Sequence, residues 1–243
     1  MSIDSTPLAA RMKEYEDCYR IKLPRFVPKI IRIDGKAFHT FLKDAVKPYD
    51  TDVAVMMEQG AKAVIQEIGG TARLAYIQSD ECSIIINDGL TINTSSWFDN
   101  NIQKMASVSA SVFGAVFNDV HNRFVRKSPL SAKFDARVFV MPNISEVTNY
   151  LIWRQQDATR NSIQQYGRSQ FSHRELEFKS CDEIQEMLFQ KAGFNWNSAV
   201  PWTKRGFVVT KAATDWIIPK FTEDRTYIET LYNPINEEQT DNS

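Results

Sequence analysis

Apolar positions along the chain switch between two spacings, and the switches mark out elements. KIIRID (29–34) is a β-branched run that stops at Gly35, which predicts a strand feeding a turn. After a loop containing Pro48, residues Val53, Met56, Met57, Gly60, Ala61, Val64, Ile65 and Ile68 recur at helical spacing, and Gly69-Gly70 supplies the stop. RLAYIQ and CSIIIND then read as two strands parted only by Ser79, Asp80 and Glu81, short enough for a hairpin. A second helix from about Trp97 to Val120 sets Phe98, Ile102, Met105, Ser109, Val112, Val116 and Val120 on one face. ARVFVMP (136–142) is a strand ended by Pro142.

The order β-α-β-β-α-β predicts an α+β, ferredoxin-like fold: a four-stranded antiparallel sheet with two helices on one face and the other face open to substrate. In that topology the first and third strands are neighbours. Asp34, ending the first strand, is therefore expected beside Asp80 and Glu81 at the hairpin tip. Beyond residue 142 the pattern is mostly helical. Val147, Tyr150, Leu151, Arg154 and Ala158 share a helical face with an end expected near Gly167, and Ser180 with Glu183 forms a capping box for a helix stopped at Gly193. RGFVVTK reads as a further hairpin. With no linker, repeat or low-complexity segment, residues 143–243 are read as an elaboration packed on residues 1–142 within one domain.

Composition narrows the chemistry. With 43% hydrophobic residues, 24% charged, and 9 Gly and 9 Pro in 243 residues, the chain is a folded globular protein. It carries no run of membrane-spanning length and no secretory layout at its N-terminus, so the cytoplasm is the expected compartment. Cys18, Cys82 and Cys181 are odd in number and scattered, and His39, His121 and His173 offer no paired spacing, which argues against a disulfide framework and a structural zinc. Any metal is then expected to be hard and oxygen-bound. A net charge of −1 gives no global case for nucleic-acid binding and leaves two local clusters, Arg123, Arg126, Lys127 and Lys133, and Lys204 with Arg205.

An acidic pair in a turn is by itself more often a solvated hairpin tip than a site. Convergence with Asp34 changes that: two carboxylates from rigid elements suit a pair of magnesium ions that keep positions open for phosphate oxygens. Glu81 would be an auxiliary ligand or orient water. DGKAFHTF adds a second sign, because backbone N–H groups after Gly35 can face a triphosphate while Lys36 and His39 offer donors. It is not a Walker-A loop.

RIDGKAFHTF, AVKPYD, AYIQSDE, WFDNNIQKM, FDARVFVMP and YLIWRQQDA occur in the order and at the spacing of the motifs of the tRNA-histidine guanylyltransferase family, which the chain resembles from about residue 28 to 158. The resemblance implies a polymerase-like palm and addition of nucleotides to the 5′ end of tRNA in the 3′-to-5′ direction. A 5′-monophosphate would be activated by ATP, and the 3′-hydroxyl of an incoming nucleotide, usually GTP, would then attack. It implies Asp34 and Asp80 as ligands of two magnesium ions, the Gly35 carbonyl as a further ligand and Glu81 in support of catalysis. Lys36, Ala37, Phe38 and His39 would line the triphosphate, Lys47 and Asp50 would lie near the base, and Ser79 beside the metals. Lys104 and Arg137 match basic positions associated with phosphate or the tRNA end. Arg160, Lys204 and Arg205, with Trp196 and Trp202 nearby, are further tRNA-binding candidates, and a homotetramer is implied.

One departure is informative. Members dedicated to tRNA-histidine follow WRQ and Asp with His-Ile-Asn-Asn, whereas this chain has Thr159, Arg160, Asn161 and Ser162, keeping only the first asparagine. That points to the bacterial-type, guanylyltransferase-like branch and to template-dependent repair of 5′-truncated tRNA. The alternatives are guanylate addition to tRNA-histidine, a nucleotidyl cyclase or cyclic-dinucleotide synthase on the same palm, and a non-catalytic RNA-binding module. The last expects exposed aromatics on the central strands, and CSIIIND has none.

Overall fold

A computed structural model describes residues 6–123 and 131–233. Arg126 and Lys127 of the first basic cluster lie outside the described residues. In chain order the elements are α1 (Pro7–Asp17), β1 (Lys29–Gly35), α2 (Phe38–Phe41), α3 (Thr51–Ile68), β2 (Ala72–Gln78), β3 (Glu81–Ile86), α4 (Ile102–Arg123) and β4 (Phe134–Val140). There follow α5 (Ile144–Gln170), α6 (His173–Leu176), α7 (Cys181–Ala192), α8 (Pro201–Arg205), β5 (Phe207–Val209), β6 (Thr214–Asp215) and α9 (Thr226–Tyr232).

The sheet has the order β4-β1-β3-β2-β5-β6, so the first four strands carry the ferredoxin-like pairing and the C-terminal hairpin widens the sheet beyond β2. All the pairings are antiparallel. Helices α3 and α4 pack on one face through Ile31, Ile33, Met57, Val64, Phe113 and Phe117. Glycine at position 60 lets those helices approach, since an added Cβ would meet the Phe113 ring at 3.0 Å.

The other face is not open along its length. Ile30, Leu74, Tyr76 and Ile85 meet Val147 and Leu151 of α5, together with Phe221 and Ile228, in a second core. The reason is the alternation of β1 and β3, whose outward positions carry isoleucine at one end and Arg32, Asp34 and Glu81 at the other. Only the polar end stays accessible. Helix α5 also runs straight through Gly167 to Gln170. Gly167 serves close packing there, because an added Cβ would meet Ile184 of α7 at 2.8 Å. The second helix of the sheet begins later than its pattern suggests, because Phe98, Asp99 and Asn100 take positive φ and break the run before Ile102. The Ser180–Glu183 capping box and the left-handed Gly193 stop of α7 are both present. No helix among the described residues is long and apolar enough to cross a membrane.

Candidate active site

Strands β2 and β3 pair as far as Gln78 and Glu81, leaving Ser79 and Asp80 as a two-residue turn with Ser79 at φ 51°. The Gly35 N–H donates to the Asp80 carbonyl at 3.1 Å and stitches the end of β1 to this tip. Gly35 is required: the Phe38 ring lies against its Cα, and an added Cβ would sit 2.3 Å from that ring. Asp34 pairs across the sheet with Glu81 on one side and with Asp135 of β4 on the other. Two residues back, Arg32 faces Arg137 and Ser83 in the same way. A row of acids therefore lies beside a row of arginines on one face.

The acids are treated differently. Glu81 is 6% exposed and holds Arg154 in a bidentate ion pair, Nε to Oε1 at 2.7 Å and Nη2 to Oε2 at 2.8 Å. Arg32 adds a third bond to Oε2 at 2.6 Å and reaches Asp34 at 3.2 Å. Burial lifts the Glu81 carboxyl, Arg154 and Arg32 pull it back, and the net direction is upward. Asp80 is also raised, by burial first and by the charge of Asp34, against hydrogen bonds from its own backbone and Ser79 and the more distant Arg32. No Lys or Arg among the described residues forms an ion pair with it.

Two cavities share this corner. One, of about 320 Å³, is lined by Arg32, Asp34, Asp80, Glu81, Arg154 and Asn161. The other, of about 510 Å³, is lined by Gly35, Ala37, Phe38, His39, Lys47, Asp50 and Ser79 among others. Tyr49, Gln78, Ser79, Asp80, Gln165, Arg168, Trp202 and Gly206 line both. Ala37 takes φ 54°, and the N–H groups of Ala37, Phe38 and His39 have no backbone acceptor among the described residues. Asp50 accepts from the N–H groups of Val46 and Asp52 and so fixes the start of α3. Tyr49 packs on Tyr166 and Trp202, and burial pushes its hydroxyl up to about 12. Gly206 is left-handed at φ 77°, and an added Cβ would meet the Ile77 carbonyl at 2.3 Å, so the β2–β5 edge closes only on glycine.

Other expected residues are not gathered there. Lys104 lies in the first turn of α4, next to Phe98, whereas the opposite end of this 22-residue helix leads toward Gly35 and the site. That separation is about 30 Å at the α-helical rise. Lys36 is exposed and its N–H donates to the Lys133 carbonyl. Arg137 shares the sheet face with Asp34 but projects into solvent, and Arg160 is exposed and paired with Asp157. Lys204 donates to the Asn197 carbonyl at 2.6 Å beside the Trp196 ring, and the Arg205 carbonyl accepts from Tyr76. Arg32, Arg154, Gln165 and Arg168 line the site without having been singled out for it. A signal existed, since Arg154, Asp157, Asn161, Gln164 and Arg168 form a polar stripe at helical spacing on a helix that otherwise packs on a core.

Among the described residues no group of three or more His, Cys, Asp and Glu side chains converges as a metal nest. Both oxygens of Glu81 are taken by guanidinium groups. What remains, Asp34 and Asp80, is a two-carboxylate oxygen site in which Asp80 lacks a counter-charge. That fits magnesium, which characteristically binds through one or two carboxylates and completes its shell with phosphate oxygens and water.

Comparisons with known proteins identify the family. The family model for tRNAHis guanylyltransferase (Thg1) matches residues 9–142. The tRNA(His) guanylyltransferase of Saccharomyces cerevisiae is 30% identical over 75% of this chain and 81% of its own length. A bacterial Thg1-like protein solved in complex with ATP is 42% identical with a TM-score of 0.88, covering 93% of this chain and 99% of that one. A bacterial Thg1-like protein in complex with GTP gives 39% and 0.81, covering 94% and 100%. These matches define the class of protein as a nucleotidyltransferase. The chain belongs to the tRNAHis guanylyltransferase family.

Proposed function

We propose that the protein adds nucleotides to the 5′ end of tRNA in the 3′-to-5′ direction, as template-dependent repair of 5′-truncated molecules. The observation that carries the reading is the stitch between Gly35 and Asp80, which brings Asp34, in the wall of one cavity, beside Asp80, in the wall of both. The family resemblance, the ATP- and GTP-bound relatives and the cavity sizes support it. On this reading the sheet with α3 and α4 is a polymerase-like palm, and residues 143–243 belong to the same domain through β5, β6 and α5.

Asp34, Asp80 and the Gly35 carbonyl would hold two magnesium ions, which when bound neutralise charge on the phosphates and align the attacking and leaving oxygens. The larger cavity takes the nucleoside triphosphate. Lys36 and the backbone of Ala37, Phe38 and His39 hold its phosphates, Lys47 and Asp50 contact its base, and Ser79 orients Asp80. In the activation step a 5′-phosphate oxygen bonds to the α-phosphorus of ATP and pyrophosphate leaves. The 3′-hydroxyl of the incoming nucleotide, usually GTP, then bonds to the 5′ phosphorus, loses its proton and expels AMP. Glu81 supports catalysis as a positioning residue, fixing Arg32 beside Asp34 and Arg154 at the cavity wall. Arg137, Arg160, Asn161, Lys204 and Arg205 are assigned to the RNA, with Lys104 reaching it only from another subunit or a distant part of the tRNA. A homotetramer accommodates that, and α1, which buries no residue and exposes Leu8, Met12 and Tyr15, is assigned to contacts between copies.

Labelled-nucleotide incorporation into a tRNA lacking its first residue tests the reading. Product is expected to follow the opposing base; no product with any nucleotide would overturn it, and a cyclic product from nucleotide alone would favour the cyclase.

A further inference from the structure

Trp153 is anomalous for its position. It lies on α5, directly beside Arg154, yet half of its surface is exposed. Leaving a large aromatic face in water forgoes the burial that normally fixes such a residue. Its packed side is fully accounted for: the Arg154 guanidinium lies over the ring at 4.5 Å, and Tyr150 meets it edge-on at 5.9 Å. Tyr150 is itself anchored to the sheet by Ser83 at 2.8 Å and by Phe139. The indole is therefore held by these supports while half of its surface stays exposed among the described residues.

The surroundings select the ligand. Arg154 passes from Trp153 to Glu81, Glu81 to Arg32 and Arg32 to Asp34, so the ring, which does not itself line the Asp34–Asp80 cavity, lies directly behind Arg154 in its wall. Arg160 falls on the same flank of α5 seven residues on, and Arg137 of β4 projects from the same sheet face, its side chain 63% exposed. A half-exposed aromatic face, flanking guanidinium groups and a phosphate-handling cavity alongside are the parts that hold an exposed base together with its backbone.

We propose that Trp153 is the stacking platform for the outermost base pair of the RNA stem whose 5′ phosphate enters the Asp34–Asp80 cavity, with Arg137 and Arg160 on the adjoining phosphates. This rests on the proposed function and adds to it the element that sets where the stem stops, and hence which template base faces the incoming nucleotide.

The test uses the full chain and a hairpin RNA lacking its first 5′ residue, with 2-aminopurine at its outermost pair. Wild type is expected to quench the probe at that pair and not at the third pair. Trp153→Leu is expected to lose the quench and to raise the KM for RNA about tenfold, leaving the KM for nucleoside triphosphate and the unfolding midpoint within experimental scatter. Trp153→Phe is expected to restore most of both. Equal response of wild type at the two probe positions would overturn the proposal without any variant. So would an unchanged RNA KM in Trp153→Leu, or a change in its oligomeric state, which would mean that a second copy covers the ring. Incorporation by wild type reports on the reaction itself, so a failed stack with intact incorporation is distinguishable from a failed function.

Discussion

Each end of the central strands holds an acid withdrawn from solvent, Asp88 fully and Asp80 partly, and the fold treats them in opposite ways. At one end Asp88, 1% exposed, accepts from Lys29 Nζ at 2.7 Å, Ser96 at 2.6 Å, Asn100 at 3.0 Å and the Phe26 N–H at 3.2 Å. Burial pushes its carboxyl up, but the hydrogen bonds and the lysine outweigh that, and the net direction is down. At the other end Asp80 is partly buried, with a second carboxylate nearby and no cation paired to it among the described residues, and its carboxyl is raised, by desolvation first. A buried carboxylate is costly until something compensates it. At Asp88 the chain itself supplies the compensation, which locks the 87–101 loop to β1. At Asp80 no Lys or Arg among the described residues supplies it, and on the proposed function the metal would.

The sharpest way to break the comparison is to neutralise each acid. Asp80→Asn is expected to lower incorporation by about 10³-fold, the loss of several kcal/mol of charge stabilisation in the transition state, with an unfolding midpoint equal to or above wild type. Activity within tenfold would remove Asp80 from the metal site. Asp88→Ala should do the reverse, costing about 3–5 kcal/mol in denaturant unfolding because it strands a buried lysine, while the folded fraction keeps its turnover.

Arg154→Gln is intermediate and should show both effects. Losing the bidentate bond to Glu81 is expected to cost about 2–3 kcal/mol and to reduce incorporation about 10- to 100-fold through displaced Arg32; a pure stability loss would show that Glu81 has no positioning role. Gentler still is the pH dependence of stability in metal-free protein. Asp88, depressed in the folded state, contributes stability that is present above the ordinary aspartate value near about 4 and is lost as pH falls through its lower folded value. Asp80, raised in the folded state, contributes stability that is present below about 4 and is lost as pH rises through its higher folded value. Asp88→Asn should therefore flatten the acid limb, and Asp80→Asn should remove a loss on the neutral side. Stability curves of the same shape for both variants would erase the distinction. Ser96→Ala, which removes one of several bonds to Asp88, should cost only about 1 kcal/mol, measurable by chemical denaturation.

Much of this was legible in the chain. Period-two and helical spacings, with stops at Gly35, Gly69-Gly70 and Gly193, give the first four strands and helices α3, α4 and α7, because local backbone preference and one-sided burial act over a few residues. Adjacency of Asp34 and Asp80 followed from strand order, which is a rule of connection. Gly167 misled, reading as a stop when its role is contact with α7, a matter decided by a residue elsewhere in the chain. N-terminal helix α1 had no one-sided apolar pattern to announce it.

The sequence by itself determined the first four strands, helices α3, α4 and α7, their order and the two carboxylates at one corner. Only the tertiary structure decided which charges pair. Glu81, next to Asp80 in sequence, is withdrawn into an arginine clamp because α5 crosses the sheet and delivers Arg154 from 73 residues away. Lys104, matched to a phosphate-binding position, is left at the far end of α4. Coulomb and hydrogen-bond energies depend on distance and burial in three dimensions, and no local pattern in the chain encodes either.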